Sequence, residues 1–179
     1  MRLASPQPAV AVFGSADPCE GDEAYELARA VGGQLASLGY TLVNGGYGGT
    51  MEASARGAVE AGGWVVGVTC RAWSSAPNRY MNETVDTPDL FGRVRKLIEL
   101  GTGGYVVLPG ATGTLVELAM VWELVCKRFL PEVPIVCVGQ FYQPLMEMMA
   151  QQRPRCGGLV AVVRTADELC RHFPDCRAH

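Results

Sequence analysis

Three short stretches of the sequence carry residue types that could hold an anion or move a proton. Asn44-Gly45-Gly46-Tyr47-Gly48-Gly49-Thr50-Met51 places its glycines between an apolar run and a helix-like run. Glycines there let backbone N–H groups approach an anion, and the helix N-terminus that follows favours phosphate. Leu108-Pro109-Gly110-Ala111-Thr112-Gly113-Thr114-Leu115-Val116-Glu117 is a second such turn, with Glu117 one turn inside the next helix. Thr114 and Glu117 also have capping-box spacing, as do Thr165 and Glu168 further on. Spacing alone therefore leaves Glu117 open between a helix cap and a carboxylate facing a bound phosphate compound. Arg93-Val94-Arg95-Lys96 is the third stretch. In a helix Arg93 and Lys96 share a face while Arg95 points elsewhere, which reads either as a solvated basic stripe or as an anion contact.

Several chemistries are excluded by the same residues. The first strand-to-helix turn, Gly14-Ser15-Ala16, lacks the G-x-G-x-x-G fingerprint, and the second strand ends in Asn44 where a dinucleotide site wants an acid for the ribose. No GK[ST] follows either glycine turn, so neither is a P-loop. The only lysines are Lys96 and Lys127, and nothing near them is built to lower a lysine pKa for Schiff-base work. Both histidines, His172 and His179, fall at the C-terminal end, leaving no general-base partner for a serine or cysteine nucleophile. The seven cysteines are odd in number, widely spaced and without a CxxC pair; they read mostly as buried small hydrophobes, with no metal site. A net charge of −3 offers no basic field for nucleic acid. No apolar run approaches the length of a membrane helix or a secretory leader, so a cytoplasmic location is expected.

The elements that must position these residues follow from the periodicity. With 179 residues, 49% of them hydrophobic, the chain can fill the core of one domain. Strands are predicted at Ala9–Phe13, Thr41–Val43, Trp64–Thr69, Tyr105–Leu108, Ile135–Val138 and Leu159–Val163. Helices are predicted at Asp22–Leu38, Thr50–Ala61, Thr114–Lys127, Tyr142–Gln151 and from Ala166, with one more opened by Thr87-Pro88 and running to Leu100. Arg71–Asp86 reads as a polar loop. Such alternation means βαβ units: an α/β fold with a doubly wound parallel sheet, as a single domain over the whole chain. Roughly the first eight residues and the last five or so are expected to be flexible. Ligands of such sheets bind beyond the carboxyl ends of the strands, which narrows the search to Gly14–Asp17, Asn44–Gly49, Thr69–Asp86 and Pro109–Gly113.

Taken in order, Gly45-Gly46 with Gly49-Thr50-Met51, then Arg95-Lys96, then Pro109-Gly110-x-x-Gly113-Thr114-x-x-Glu117 resemble the Lonely Guy family of nucleoside 5′-monophosphate phosphoribohydrolases. That family's signature reads GGGxxGxMG, an Arg-Lys pair, and PGGxGTxxE. Val121-Trp122-Glu123-Leu124 and Phe141-Tyr142 are similar to its later segments. Here Ala111 stands for the second glycine of PGG, Glu52 for the glycine after the methionine, and Gly101–Gly104 lack an acidic residue. The resemblance implies a Rossmann-like fold, usually a homodimer, and hydrolysis of the bond between base and ribose 5-phosphate in AMP or a modified purine nucleotide, without a cofactor. It implies Glu117 as catalytic carboxylate and Arg95 as its partner. Gly14, Ser15, Gly45, Gly46, Gly49, Thr50, Met51, Lys96, Gly110, Ala111, Thr112, Gly113 and Thr114 would line the nucleotide and phosphate site. The alternative is a non-catalytic nucleotide or cofactor carrier on the same fold. A homodimer or larger assembly agrees with the helix from Thr114, whose Leu115, Leu118, Ala119, Val121, Trp122 and Val125 are apolar on more than one face.

Overall fold

The computed structural model describes residues 7–177. Seven strands form one all-parallel sheet: β1 (Ala9–Phe13), β2 (Thr41–Asn44), β3 (Val65–Cys70), β4 (Glu83–Thr87), β5 (Gly104–Val107), β6 (Ile135–Val138) and β7 (Val160–Val163). Their order is β4-β3-β2-β1-β5-β6-β7, so the chain winds outward from β1 in one direction and then returns to its other side. The order reverses between β1 and β5, and a crevice opens there beyond the strand ends.

Strand alternation divides the core into two layers. Ala9, Ala11 and Phe13 of β1 face one side of the sheet, where α3 (Leu90–Leu100), α4 (Thr112–Cys126) and α5 (Gln143–Gln152) pack through Val94, Leu97, Leu118, Val121 and Met146. Val10 and Val12 face the other side, covered by α1 (Glu23–Ser37) and α2 (Thr50–Glu60) through Ala28, Val31, Leu35, Ala53 and Ala58. A short α6 (Pro154–Gly157) and a closing 3₁₀ turn (Asp167–Arg171) complete the chain. The doubly wound fold is as expected from the alternation, and it is Rossmann-like.

Four local expectations are corrected. The predicted polar loop Arg71–Asp86 contains most of β4, whose Glu83, Thr84 and Asp86 are at least partly exposed while Val85 and Thr87 are buried. It is an edge strand with a single large apolar residue, too polar for its period to show. The helix after it does not open at Thr87-Pro88, because Thr87 closes β4. Asp89 is the N-cap, its carboxylate accepting from the Gly92 N–H at 2.7 Å. The last element is a single 3₁₀ turn. Cys126 and Cys156, 30 residues apart, form a disulfide between α4 and α6 with Cα atoms 5.7 Å apart, and Cys19 and Cys170 are exposed. That leaves Cys70 and Cys137 as the buried free thiols. Among the described residues no cluster holds a metal-ligand geometry, and no helix is long and apolar enough to cross a membrane.

Of the expected flexible ends, residues 1–6 and 178–179 lie outside the described residues. Pro8 is tied down, its carbonyl accepting from the Thr41 N–H at 3.0 Å, and the Arg177 guanidinium donates to the Ala36 carbonyl.

The contact between α1 and α2 depends on two glycines. A Cβ on Gly57 would stand 1.9 Å from the Arg29 carbonyl oxygen, and one on Gly32 equally close to that of Ser54. Gly57→Ala must push the two helices apart. It should cost about 1–3 kcal/mol, as overpacking does, and lower the midpoint of thermal unfolding by about 2–12 °C. An unchanged melting curve by circular dichroism would contradict this packing.

Candidate active site

The crevice between β1 and β5 holds a cavity of about 360 Å³. Six parts of the chain build it: the end of β1 with the turn after it, the glycine turn after β2, the start of α2, the loop after β3, the first two turns of α4, and one side chain from α3.

At its floor Arg93 meets Glu117. Their closest atoms, Nη1 and Oε1, are 3.7 Å apart, an ion pair too long for a hydrogen bond, and each residue is 6–7% exposed. Arg93 is held from other sides as well. Its Nε donates to the Val68 carbonyl at 2.8 Å, and its guanidinium carbon lies 5.1 Å from the Trp73 ring centre and 5.6 Å from that of Tyr47. Space for it comes from Gly45, since a Cβ there would sit 1.7 Å from Nη2. Gly45 thus serves the arginine. The glycine turn is itself tied internally: Asn44 accepts from the Gly46 N–H at 2.8 Å and donates to the Met51 carbonyl at 2.8 Å.

Glu117 is not a helix cap. α4 begins two residues earlier than the spacing suggested, with Ala111 as N-cap, so Thr114 is already inside the helix and Glu117 points from its second turn. Glu168, by contrast, does cap its turn, accepting from the Arg164 N–H at 2.7 Å. Burial pushes the Glu117 carboxyl up to about 7, and the facing Arg93 only partly offsets this. Burial also lowers the Arg93 pKa, yet a guanidinium stays charged across the accessible pH range. A carboxyl balanced near neutrality can hold or take a proton there.

Around this floor, Gly113 and Thr114 line the cavity from the first turn of α4. The first N–H groups of a helix lack partners within it and are directed at whatever occupies the site. Ala111 also lines it, with φ −83°, a conformation open to any residue, so its methyl does not strain the turn. Tyr142 supports that turn from beneath, its hydroxyl donating to the Gly110 carbonyl at 2.6 Å.

The sequence-derived set is thus only partly assembled. Gly14, Ser15, Gly45, Met51, Ala111, Gly113, Thr114 and Glu117 line the cavity. Gly46, Gly49, Thr50, Gly110 and Thr112 are not among the lining residues; Thr50, for instance, uses both its N–H and its hydroxyl on the Ser15 carbonyl, at 2.9 and 3.0 Å. Arg95 and Lys96 are not brought to it. Arg95 is exposed on the outer face of α3, and Lys96 pairs with Glu99 at 2.5 Å. The basic partner of Glu117 is Arg93, two residues before the one that the resemblance indicated. Helical spacing carried the signal: Arg93 falls on the stripe with Val94, Leu97 and Leu100, all buried, whereas Arg95 falls with Glu99. Tyr47, Trp73, Ser75 and Asp17 also line the cavity; all four lie in the loops to which the sheet geometry narrows the search, without a motif that marks the individual residue. An aromatic residue within a glycine turn was the available sign for Tyr47; Trp73 sits in a segment with no periodicity to place it.

Comparison with known proteins agrees with the fold. Residues 7–155 match the model of the SLOG cluster4 family. A Mycobacterium tuberculosis protein named cytokinin riboside 5′-monophosphate phosphoribohydrolase is 36% identical over 116 residues, covering 63% of this chain. The match spans 61% of that relative's own length. A protein of the same name from Rhodococcoides fascians is 31% identical over 150 residues, covering 80% of this chain and 75% of its own. Among solved structures, the molybdenum cofactor carrier protein of Chlamydomonas reinhardtii superposes with a TM-score of 0.66 at 25% identity, over 89% of this chain and 91% of that one. The molybdenum cofactor binding protein of Rippkaea orientalis gives 0.72 at 19% identity, over 92% and 94%, a likeness of fold.

The two arginines should behave differently when removed. Arg93→Met strands a buried carboxylate, and at pH 8 should cost about 3 kcal/mol or more in urea unfolding. Arg95→Ala, at an exposed position, should stay within about 0.5 kcal/mol of the wild type. Equal losses would contradict the placement of Arg93.

Proposed function

For a chain that belongs to the SLOG cluster4 family, and whose cavity has a buried carboxylate at its floor and a helix N-terminus on its wall, we propose hydrolysis of the N-glycosidic bond of a nucleoside 5′-monophosphate. The observation that carries this reading is the Glu117 carboxyl, buried opposite Arg93 and balanced near neutral pH beside the first turn of α4. The names of the mycobacterial relatives and the R. fascians relative support it.

In this reading the N–H groups at the start of α4 anchor the 5′-phosphate, and that binding energy holds the anomeric carbon over Glu117. The carbon–nitrogen bond breaks through an oxocarbenium-like state, which the carboxylate stabilises. Water adds to the anomeric carbon and gives its proton to Glu117, while the base leaves and takes up a proton. Arg93 keeps the carboxylate ionised part of the time and fixes its orientation. Among the described residues the only cation lining the cavity is Arg93, and Asp17 adds a negative charge, so a monophosphate suits the site better than a triphosphate. A homodimer would cover Leu115, Val116 and Met120, which α4 leaves exposed.

A second reading, a carrier without turnover, has one observation in its favour: Ala111 lines the cavity where the resembling family has glycine. It is also consistent with the likeness to molybdenum cofactor carriers.

Purified protein incubated with AMP should release adenine and ribose 5-phosphate, and Glu117→Gln should lower turnover by about 10²–10⁴-fold with little change in AMP affinity. Because the carboxylate is the active form and its pKa is raised, the rate should climb with pH through about 7 and level off above it. Wild-type turnover by Glu117→Gln would overturn the catalytic role. Tight AMP binding with no base released would favour the carrier.

A further inference from the structure

The cavity's walls follow an order along its length. The first turn of α4 stands at one side, Glu117 and Arg93 lie at the floor, and Trp73 with Tyr47 stands beyond Arg93. A nucleoside monophosphate has the same order: phosphate, sugar, base. Trp73 is a large apolar residue left 43% exposed in a concave site, with its ring 5.5 Å from that of Tyr47 at a tilt of 58°.

Its position is fixed by the frame around it. The Trp73 N–H donates to the Cys70 carbonyl at 3.1 Å, and the Cys70 N–H donates to the Tyr47 hydroxyl at 2.9 Å. Downstream, the Asn78 N–H donates to the Gly46 carbonyl at 2.7 Å and its side chain to the Tyr47 carbonyl at 2.8 Å. Both ends of the segment carrying the indole are thereby fastened to the glycine turn after β2. A partly open indole, on a backbone held at both ends and at the far end of an anion site, is suited to stacking against a planar heteroaromatic ring.

We propose that Trp73 is the platform on which the base of the nucleotide stacks, and that it favours the larger purine ring over a pyrimidine. The inference rests on the nucleoside monophosphate reading. Trp73 acts in binding and specificity, while the bond-breaking groups lie at the floor.

Binding is read in the Glu117→Gln background, where AMP survives, by calorimetry with AMP, CMP and ribose 5-phosphate. Adding Trp73→Ala should weaken AMP by about 5- to 100-fold, the range that base–aromatic stacking spans, and CMP by less. Ribose 5-phosphate, which has no base, should bind as before. Trp73→Phe should restore most of the AMP affinity. AMP should quench tryptophan fluorescence in the wild type and in Trp64→Phe, but not in Trp73→Phe. Unchanged AMP affinity in Trp73→Ala, or an equal loss for ribose 5-phosphate, would overturn the platform. An AMP-dependent quench of Trp73 in a protein that never releases adenine would sustain the platform and sink the hydrolase. Adenine release by Trp73→Ala at the wild-type KM would do the reverse.

Discussion

A carboxylate and a guanidinium held 3.7 Å apart, both almost out of water, impose conditions on everything around them. Removing two charges from solvent is expensive, and their attraction repays it only if the rest of the structure keeps them in place. Arg93 is kept by the Val68 carbonyl and by two aromatic rings, and Gly45 leaves the space its guanidinium needs. Glu117 has Arg93 as its only charged partner among the described residues, and burial wins over that attraction. The folded protein therefore retains a proton on Glu117 that the unfolded chain has released. Between pH about 4.5 and about 7 this linkage lowers stability as pH rises, and above about 7 it levels off. Such a group destabilises the fold at neutral pH, as functional groups in a cleft often do.

The sheet order explains why these two side chains meet. α3 leads into β5 and α4 follows it, and both helices cover the same face of the sheet. Arg93 near the start of α3 and Glu117 near the start of α4 thus converge above the strand ends where the winding reverses. On the opposite face, α1 and α2 lie in close contact at Gly32 and Gly57. The two glycine turns have different tasks. The one after β2 accommodates Arg93, and the one after β5 presents the first N–H groups of α4 to the cavity.

Much of this was legible in the sequence. Apolar runs of β-branched residues separated by amphipathic stretches specify the parallel sheet, because strands buried on both faces need no polar alternation. β4 escaped because an edge strand facing water has little apolar content to show. Glu117 was visible as a residue but ambiguous in role, since capping-box spacing arises cheaply and only the true start of α4 at Thr112 decides it. The resemblance points to Arg95, whereas the 3.6-residue period puts Arg93 on the stripe that is buried. A charged residue on an apolar stripe was the stronger sign. Trp73 had no such period, and its place depends on hydrogen bonds from Asn78 to a turn about thirty residues away in sequence. The Cys126–Cys156 pairing is likewise a product of the packing of α4 against α6.

Glu117 is a buried carboxyl that its arginine partner does not fully ionise at neutral pH. An NMR titration of the labelled Glu117 side-chain carboxyl in the free protein, assigned against Glu117→Gln, measures this directly. A midpoint near 7, well above the ordinary value of 4.5, is the predicted result. A midpoint at or below 4.5 would show a solvated or fully compensated carboxylate, and would contradict both the buried pair and the catalytic reading built on it.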